Sequence, residues 1–201
     1  MQISYIEKSG KNKVRITLAD GDKFIISERD WRSFGVDAGD EIEDDILNKL
    51  YTEYLLPKAK FRALNLLKMR DRSRQELRQR LKQDGYPEIV IQKTIEYIDG
   101  YHYLDDVRFA KNYVDYRGKR KSRRELEYEL SGKGIDLRSM SLEGEEFNMP
   151  EDKDTIRSLL LKRWGEHPSP DQKERDRMLR YLARHGFGSG DILSVYRELD
   201  I

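Results

Sequence analysis

The sequence of 201 residues contains no cysteine, and none of its apolar runs approaches the length of a membrane span. Without cysteine the chain has no disulfide framework and no thiolate chemistry, which fits a reducing cytosol. No signal peptide is recognisable near the N-terminus, so we expect a cytoplasmic protein that does not contact a membrane. Phosphate-binding loops, dinucleotide fingerprints, zinc spacings and nucleophile elbows are also missing. We therefore expect a protein that is not an enzyme, with no catalytic residues, no metal and no cofactor.

The charge is abundant but unevenly distributed. Charged residues make up 38% of the chain and hydrophobic residues 37%, a polar balance that suits a thin, extended array better than a sphere. The net charge is only +1, yet residues 57–135 contain 20 Lys and Arg against 12 Asp and Glu. This middle third is therefore the candidate for contact with a polyanion or an acidic protein surface.

Three segments of the chain repeat a helix, a sharp stop and a second helix. Each has a glycine that follows an amphipathic helix and precedes a bulky apolar residue, at Gly85, Gly134 and Gly186. Such a glycine is typical of the left-handed residue that ends a helix. The helix before the glycine begins with a capping box, in which two side chains satisfy each other's backbone amides. The capping pairs are Ser73 with Glu76, Ser122 with Glu125, and Asp171 with Glu174.

A further apolar helix precedes each capping pair, which gives three helices per unit at a period of about fifty residues. The sequence thus predicts a mainly α fold, an elongated array of three tandem three-helix repeats at residues 57–104, 105–150 and 151–201. We expect the last helix of the second repeat to be short, and residues 136–154 to form a mobile acidic connector. The first helix of the third repeat should end near Trp164 or Gly165, before two prolines.

The N-terminal residues 1–56 predict a small α/β extension. Apolar and polar residues alternate over the first 26 positions, with turn residues between the runs, as in a three-stranded antiparallel ribbon. This ribbon should pack on a helix that Ser27 caps and that presents Trp31 and Phe34. A second helix should run from about Glu41 to Leu56, and Pro57 should permit a break before the first repeat.

Basic residues concentrate at the start of two capped helices. The segment from Arg117 to Arg124 has six basic side chains in eight residues and straddles a helix N-terminus, where exposed amides and cations favour phosphate. A solvated loop is the alternative interpretation. The candidate residues for binding a partner protein or DNA are Arg70, Arg72, Arg74, Arg117, Lys119, Arg120, Lys121, Arg123 and Arg124.

Two other groups admit a functional and a structural interpretation. Tyr86, Tyr101 and Tyr103 could stack on nucleic-acid bases, although we favour core packing beside a helix end. Asp105 and Asp106 could hold a metal ion or act as acid and base, but we favour capping of the helix that follows.

Two motifs carry a family resemblance. The pattern S-R-x-E-L-x-x-x-L-x-x-x-G occurs from Ser73 to Gly85 and again from Ser122 to Gly134. The segment from Tyr103 to Ala110 is similar to a G-Y-L-D-D-x-x-F-A pattern, with His102 where the family often has glycine. Together these motifs resemble the RecX recombination regulators over about residues 58–200. The third repeat lacks the S-R-x-E-L motif.

The resemblance implies a bacterial regulator of recombination, DNA repair and the SOS response. Such a protein would bind the RecA filament on single-stranded DNA as a monomer, in the helical groove of the filament. It would inhibit ATP hydrolysis, strand exchange and co-protease activity. An alternative is a helical regulator that binds single-stranded or duplex DNA directly through the basic middle repeats. A third possibility is a scaffold with some other protein partner.

Overall fold

The computed structural model describes every residue from Met1 to Ile201 and divides the chain into two compact units, residues 1–105 and residues 106–201. None of the helices combines the length and apolar character that crossing a membrane requires. The first unit contains β1 (Ile3–Lys8), β2 (Lys13–Leu18), β3 (Lys23–Ser27), α1 (Glu28–Arg32), α2 (Asp44–Lys49), α3 (Leu56–Met69), α4 (Arg74–Gln83) and α5 (Glu88–Gly100). The second unit contains α6 (Asp106–Arg117), α7 (Arg123–Ser131), α8 (Leu137–Leu142), α9 (Asp152–Trp164), α10 (Gln172–Arg184) and α11 (Ser189–Glu198).

The predicted ribbon is a three-stranded antiparallel sheet in the order β1, β2, β3. Val14, Ile16 and Leu18 are buried at alternate positions of β2, because successive side chains of a strand point to opposite faces. The hydroxyl of Ser27 accepts the amide of Asp30 at 3.1 Å, which caps α1 as predicted and places Trp31 in the core of the sheet.

The chain does not break at Pro57, contrary to our prediction. A π-helical segment, Leu50–Leu55, joins α2 directly to α3, and Pro57 is the second residue of α3. The wider turn of a π-helix accommodates a residue that has no N–H to donate. Leu50, Leu55 and Ala59 are fully buried in the same apolar core as the sheet. The N-terminal extension and the start of the first repeat therefore share one core.

The first repeat comprises α3, α4 and α5 and has its own apolar core, which includes Leu77, Leu81 and Ile91. Gly85 follows α4 with φ of 89°, the left-handed conformation that the sequence predicts. The amide of Ile25 on β3 donates to the carbonyl of Gly85 at 2.7 Å. The sheet therefore packs directly on the turn between α4 and α5.

The second unit contains the second repeat (α6, α7, α8) and the third repeat (α9, α10, α11). Gly134 and Gly186 have φ of 78° and 79°, and α8 is only six residues long, as predicted. Helix α9 ends at Trp164, and Gly165 follows with φ of 84°. The acidic stretch that we expected to be a mobile connector instead contributes Phe147 and Met149 to the core of the second repeat.

The predicted capping pairs form, but not in the reciprocal manner that we expected at Ser122. The side chains of Ser73, Ser122 and Asp171 each accept the amide of the glutamate three residues later, at 3.1, 3.1 and 2.7 Å. The amide of Ser122, however, donates to the carbonyl of His185 at 3.2 Å. Glu125 is thereby released to bind other groups.

Candidate partner-binding surface

The loop between α6 and α7 and the two helix ends that flank it present an exposed group of cations, which we call the loop cations. They comprise Arg117, Lys119, Arg120, Arg123 and Arg124. All five side chains are exposed, and none lies within salt-bridge distance of a carboxylate. A charge that is exposed and unpaired keeps its full attraction for a partner of opposite sign. The geometry thus leaves these cations available to an acidic surface or to phosphate.

Close packing of the backbone fixes the conformation of this loop. A Cβ at Gly118 would lie 2.6 Å from the carbonyl oxygen of Val114 and 3.0 Å from the ring of Pro150. Only glycine fits such an approach. Lys119 and Arg120 directly follow this glycine in the sequence. They line a cleft of about 690 Å³ together with Lys162 of α9. Because the loop is packed at Gly118, its cations project from a defined backbone.

Lys121 does not belong with the loop cations, although it lies within the same basic segment and was predicted to bind a partner. Its side chain is 12% exposed, and its ammonium lies 2.6 Å from Glu125 and 2.7 Å from Glu129. Burial alone would lower the pKa of Lys121, but the hydrogen bonds from these two carboxylates raise it above its usual value. Lys121 therefore forms an internal ion pair. Its glutamates four and eight residues later were the sequence signal for this role.

Glu129 completes this partly buried cluster. Its carboxylate accepts the hydroxyl of Tyr113 at 2.7 Å in addition to the ammonium of Lys121. Burial raises the pKa of Glu129, but these two hydrogen bonds outweigh it and the net pKa is lowered. The cluster thus keeps its charges within the second repeat.

The N-terminal amide of α7 is already occupied by a carboxylate of the same unit. The amide of Arg123 donates to Asp152 at 2.8 Å, and burial raises the pKa of that carboxyl group. We expected exposed amides here to bind phosphate, but this amide is satisfied within the unit. The side chains of the loop cations, rather than the helix end, are the groups that remain available.

The basic run of the first repeat is largely neutralised. Arg70 pairs with Glu76 at 3.1 Å, and Arg74 pairs with Asp99 at 2.8 Å. Arg72 differs, because it is half-buried and has no carboxylate partner; its Nε donates to the carbonyl of Leu66 at 3.4 Å. Burial, together with the nearby charge of Arg70, lowers the pKa of Arg72. Among Arg70, Arg72 and Arg74, Arg72 is therefore the one that forms no salt bridge with a carboxylate.

A groove of about 530 Å³ surrounds Arg72. Arg62 and Arg80 also line it, and both pair with Asp84, at 2.7 and 3.5 Å. Arg62 did not stand out in the sequence, because it lies eight positions before the basic run and reaches the groove from α3. Four arginines thus converge on one groove of the first repeat when Arg70 is included.

The three tyrosines have different environments. Tyr86 is half-buried against both apolar cores of the first unit, and burial raises the pKa of its hydroxyl group. Tyr101 and Tyr103 are 59% and 53% exposed, and their rings stack with centroids 6.2 Å apart. Core packing is therefore correct for Tyr86 and wrong for the other two.

The two aspartates at the start of α6 lie in a region with no metal-binding geometry. Asp106 is the first residue of α6, and Asp105 precedes it. The chain contains no group of three carboxylate or histidine side chains that could hold a metal ion. Their position at the helix N-terminus suits negative charge, because the helix dipole is positive there.

Comparison with known proteins places each repeat in one family. Three family models match the chain: the first three-helix domain of RecX over residues 59–97, the second over residues 105–137 and the third over residues 151–196. The chain belongs to the RecX family. The match to the second RecX domain includes the whole basic loop, whereas the N-terminal sheet precedes the first match.

Several relatives named regulatory protein RecX resemble the chain. The relative from Corynebacterium efficiens is 33% identical over 68% of this chain and 69% of its own length. The relative from Prosthecochloris aestuarii is 31% identical over 71% of this chain and 93% of its own length. The relative from Clostridium tetani is 25% identical and spans 98% of this chain and 94% of its own length. The family is thus named for regulation rather than for an enzymatic reaction.

Solved structures share the fold. A crystal structure of regulatory protein RecX is 22% identical, covers 99% of this chain and 98% of its own, and has a TM-score of 0.55. A crystal structure of RecX from Lactobacillus salivarius is 23% identical, covers 72% of this chain and 96% of its own, and has a TM-score of 0.52. At these identities the likeness shows the fold of the RecX family and nothing finer.

Proposed function

We propose that this RecX protein binds the RecA filament on single-stranded DNA in its helical groove and inhibits ATP hydrolysis, strand exchange and co-protease activity. The observation that carries this proposal is the exposed group of unpaired loop cations within a regulatory family. Five unpaired positive charges on one loop suit an acidic protein surface, DNA phosphate or a filament that offers both.

A filament suits a repeat protein because identical subunits recur along it. Each three-helix repeat then needs only a weak contact, because the first contact raises the effective concentration of the other repeats at their own sites. Contacts made by exposed charges are screened by salt, so inhibition should weaken as the salt concentration rises. Inhibition follows if the protein fills the groove that duplex DNA must enter, or if it holds subunits against the movement that accompanies ATP turnover.

The test is RecA ATPase activity on single-stranded DNA with sub-stoichiometric amounts of this protein. The test variant reverses four loop cations to glutamate: Lys119, Arg120, Arg123 and Arg124. We expect the concentration for half-inhibition to rise at least about tenfold, which corresponds to a loss of about 1.4 kcal/mol of binding energy. Circular dichroism should show unchanged helicity, because these side chains are exposed and have no carboxylate partner.

A matched control reverses four exposed lysines of the first unit that also lack carboxylate partners: Lys11, Lys13, Lys23 and Lys49. This control makes the same change in net charge, so it separates a local contact from general electrostatics. It should keep half-inhibition within about twofold of the original value. Unchanged inhibition by the loop variant, or an equal loss in both variants, would remove the loop cations from the mechanism.

A second candidate function is direct DNA binding through the arginine groove of the first repeat. The observation in its favour is Arg72, which is half-buried beside three other arginines without a carboxylate partner of its own. An oligonucleotide without RecA would bind at physiological salt if this function dominates, and its affinity would fall steeply on added salt. Loss of that binding in an Arg72→Gln variant, with ATPase inhibition retained, would favour DNA as the direct ligand of this groove.

A further inference from the structure

A largely apolar cleft opens between α9 and α10 in the third repeat. Its volume is about 390 Å³, and Leu159, Trp164, Met178 and Tyr181 form its floor. These four side chains also pack on the outside of the third-repeat core, where each is only partly buried. The volume lies within the range of pockets that bind ligands, which is roughly 300–1,000 Å³.

The cleft exists because α10 is loosely covered. Among its thirteen residues only Leu182 is fully buried, whereas α9 buries Thr155, Ile156 and Leu160. The apolar face of α10 therefore extends beyond the core that it helps to close. Apolar surface left open between two helices is the geometry into which a partner inserts an apolar side chain.

The rim of the cleft is predominantly basic. Lys162, Arg163 and Arg177 line it, all three are exposed, and none forms a salt bridge with a carboxylate. Glu174 is the single acidic residue of the lining. A ligand with carboxylates on either side of an apolar group would match this arrangement, because its charges would meet the rim while its apolar group filled the floor.

We propose that this cleft binds an acidic peptide segment of a partner protein through an aliphatic or aromatic anchor residue. The floor favours a peptide over a nucleic-acid base, since Leu159 and Met178 add aliphatic surface to the two aromatic rings. Methionine is also flexible enough to fit anchors of different shape. The inference does not depend on the proposed function, because none of the loop cations lines this cleft and its test does not use RecA.

The test uses the full chain and a short fluorescein-labelled peptide, in which Asp and Glu flank a Leu and a Phe one helical turn apart. Fluorescence anisotropy should show binding with a dissociation constant on the order of 10 µM. An Arg163→Glu/Arg177→Glu variant should bind at least about tenfold more weakly. The matched control is Lys173→Glu/Arg180→Glu, which changes exposed cations of α10 outside the cleft and should stay within about twofold of the original.

The peptide itself supplies a second test that does not depend on the folding of any variant. Replacement of its Leu and Phe by Ser should weaken binding at least about tenfold, because the acidic flanks alone cannot fill the floor. Equal binding of the two peptides, equal loss in both charge variants, or no binding of the first peptide would overturn the proposal. So would displacement of the peptide by a single-stranded oligonucleotide whose binding shows the same variant pattern.

Discussion

Gly85 and Gly186 are equivalent glycines that end a helix in the first and in the second unit, and different elements cover them. In the first unit the side chain of Ile25 on β3 lies 2.5 Å from where a Cβ of Gly85 would be. In the second unit the hydroxyl of Ser122 lies 2.5 Å from where a Cβ of Gly186 would be. A strand thus covers the first repeat at the position where a neighbouring repeat covers the third. The N-terminal sheet therefore covers the first repeat at its helix-ending glycine.

The chemistry of the two contacts also differs. The contact at Gly85 is a backbone hydrogen bond beside an isoleucine side chain. The contact at Gly186 is polar, because the amide of Ser122 binds the carbonyl of His185 and the His185 ring lies 3.3 Å from Glu125. The sheet therefore contacts the turn of the first repeat through an apolar side chain. The second repeat contacts the turn of the third through its own helix-capping residues, Ser122 and Glu125.

Among the substitutions that test this comparison, Gly186→Ala should cause the largest loss of stability. The new Cβ would require the Ser122 hydroxyl to move, and the alanine would have to adopt an unfavourable φ of 79°. Overpacking and the left-handed conformation together should cost about 3 kcal/mol in the free energy of unfolding of the second unit. Chemical denaturation of the full chain, followed by circular dichroism, measures this loss.

Two controls separate packing from backbone strain. Gly144→Ala, at the end of α8, has a similar φ of 93° and the same pattern of backbone hydrogen bonds but open space around the new Cβ, so it should cost only about 1 kcal/mol. In a Ser122→Ala background the nearest remaining atom is 3.3 Å away, so Gly186→Ala should cost less than it does in the original protein. Equal costs in both backgrounds would show that the hydroxyl does not limit this junction.

Lys121 tests the polar character of the same junction. Replacement by methionine removes the cation that neutralises Glu125 and Glu129, whose carboxylates are 21% and 29% exposed. Breaking a partly buried ion pair from one side should destabilise the second unit by about 2 kcal/mol. Lys119→Met, two residues earlier on the exposed side of the loop, should change stability by less than about 0.5 kcal/mol.

The two lysine variants should also differ in function: the variant that loses stability should keep inhibition, and the variant that keeps stability should lose part of it. At a temperature where Lys121→Met remains folded, it should inhibit the RecA ATPase like the original protein, because its ammonium is not available to a partner. Lys119→Met should weaken inhibition measurably while leaving stability unchanged. If a stable Lys121→Met protein has lost inhibition, Lys121 contacts the partner after all.

The sequence predicted local structure well because local rules determine it. The turn glycines, the capping residues Ser73 and Ser122, and the alternation in the strands each depend on neighbouring residues. Two predictions were wrong although their causes are local. Pro57 continues the helix because a π-helical turn directly precedes it, and the glutamates that pair with Lys121 lie only four and eight residues later. Other contacts depend on distant residues. Asp152 reaches the amide of Arg123 from 29 residues away, which no local pattern indicates.

His102 provides the smallest predicted effect and extends the comparison to a helix end whose left-handed residue is not glycine. Its amide donates to Asp99 at 2.8 Å and that of Tyr103 to Ile98 at 3.2 Å, in the same pattern that Gly85 and Tyr86 form at the end of α4. The φ of His102 is 56°, so a side chain here carries the strain that glycine avoids.

The substitution His102→Gly should therefore stabilise the first unit by about 0.5 to 1 kcal/mol, because relief of the left-handed strain exceeds the added entropy of the unfolded chain. The midpoint of thermal unfolding, measured by circular dichroism, should rise accordingly. Asp200→Gly, at φ of 54° in the second unit, should act in the same direction. The control Gln92→Gly, at an exposed interior position of α5, should instead destabilise the protein by about 1 kcal/mol. A loss of stability in His102→Gly would mean that the histidine side chain contributes more through its contacts than its backbone conformation costs.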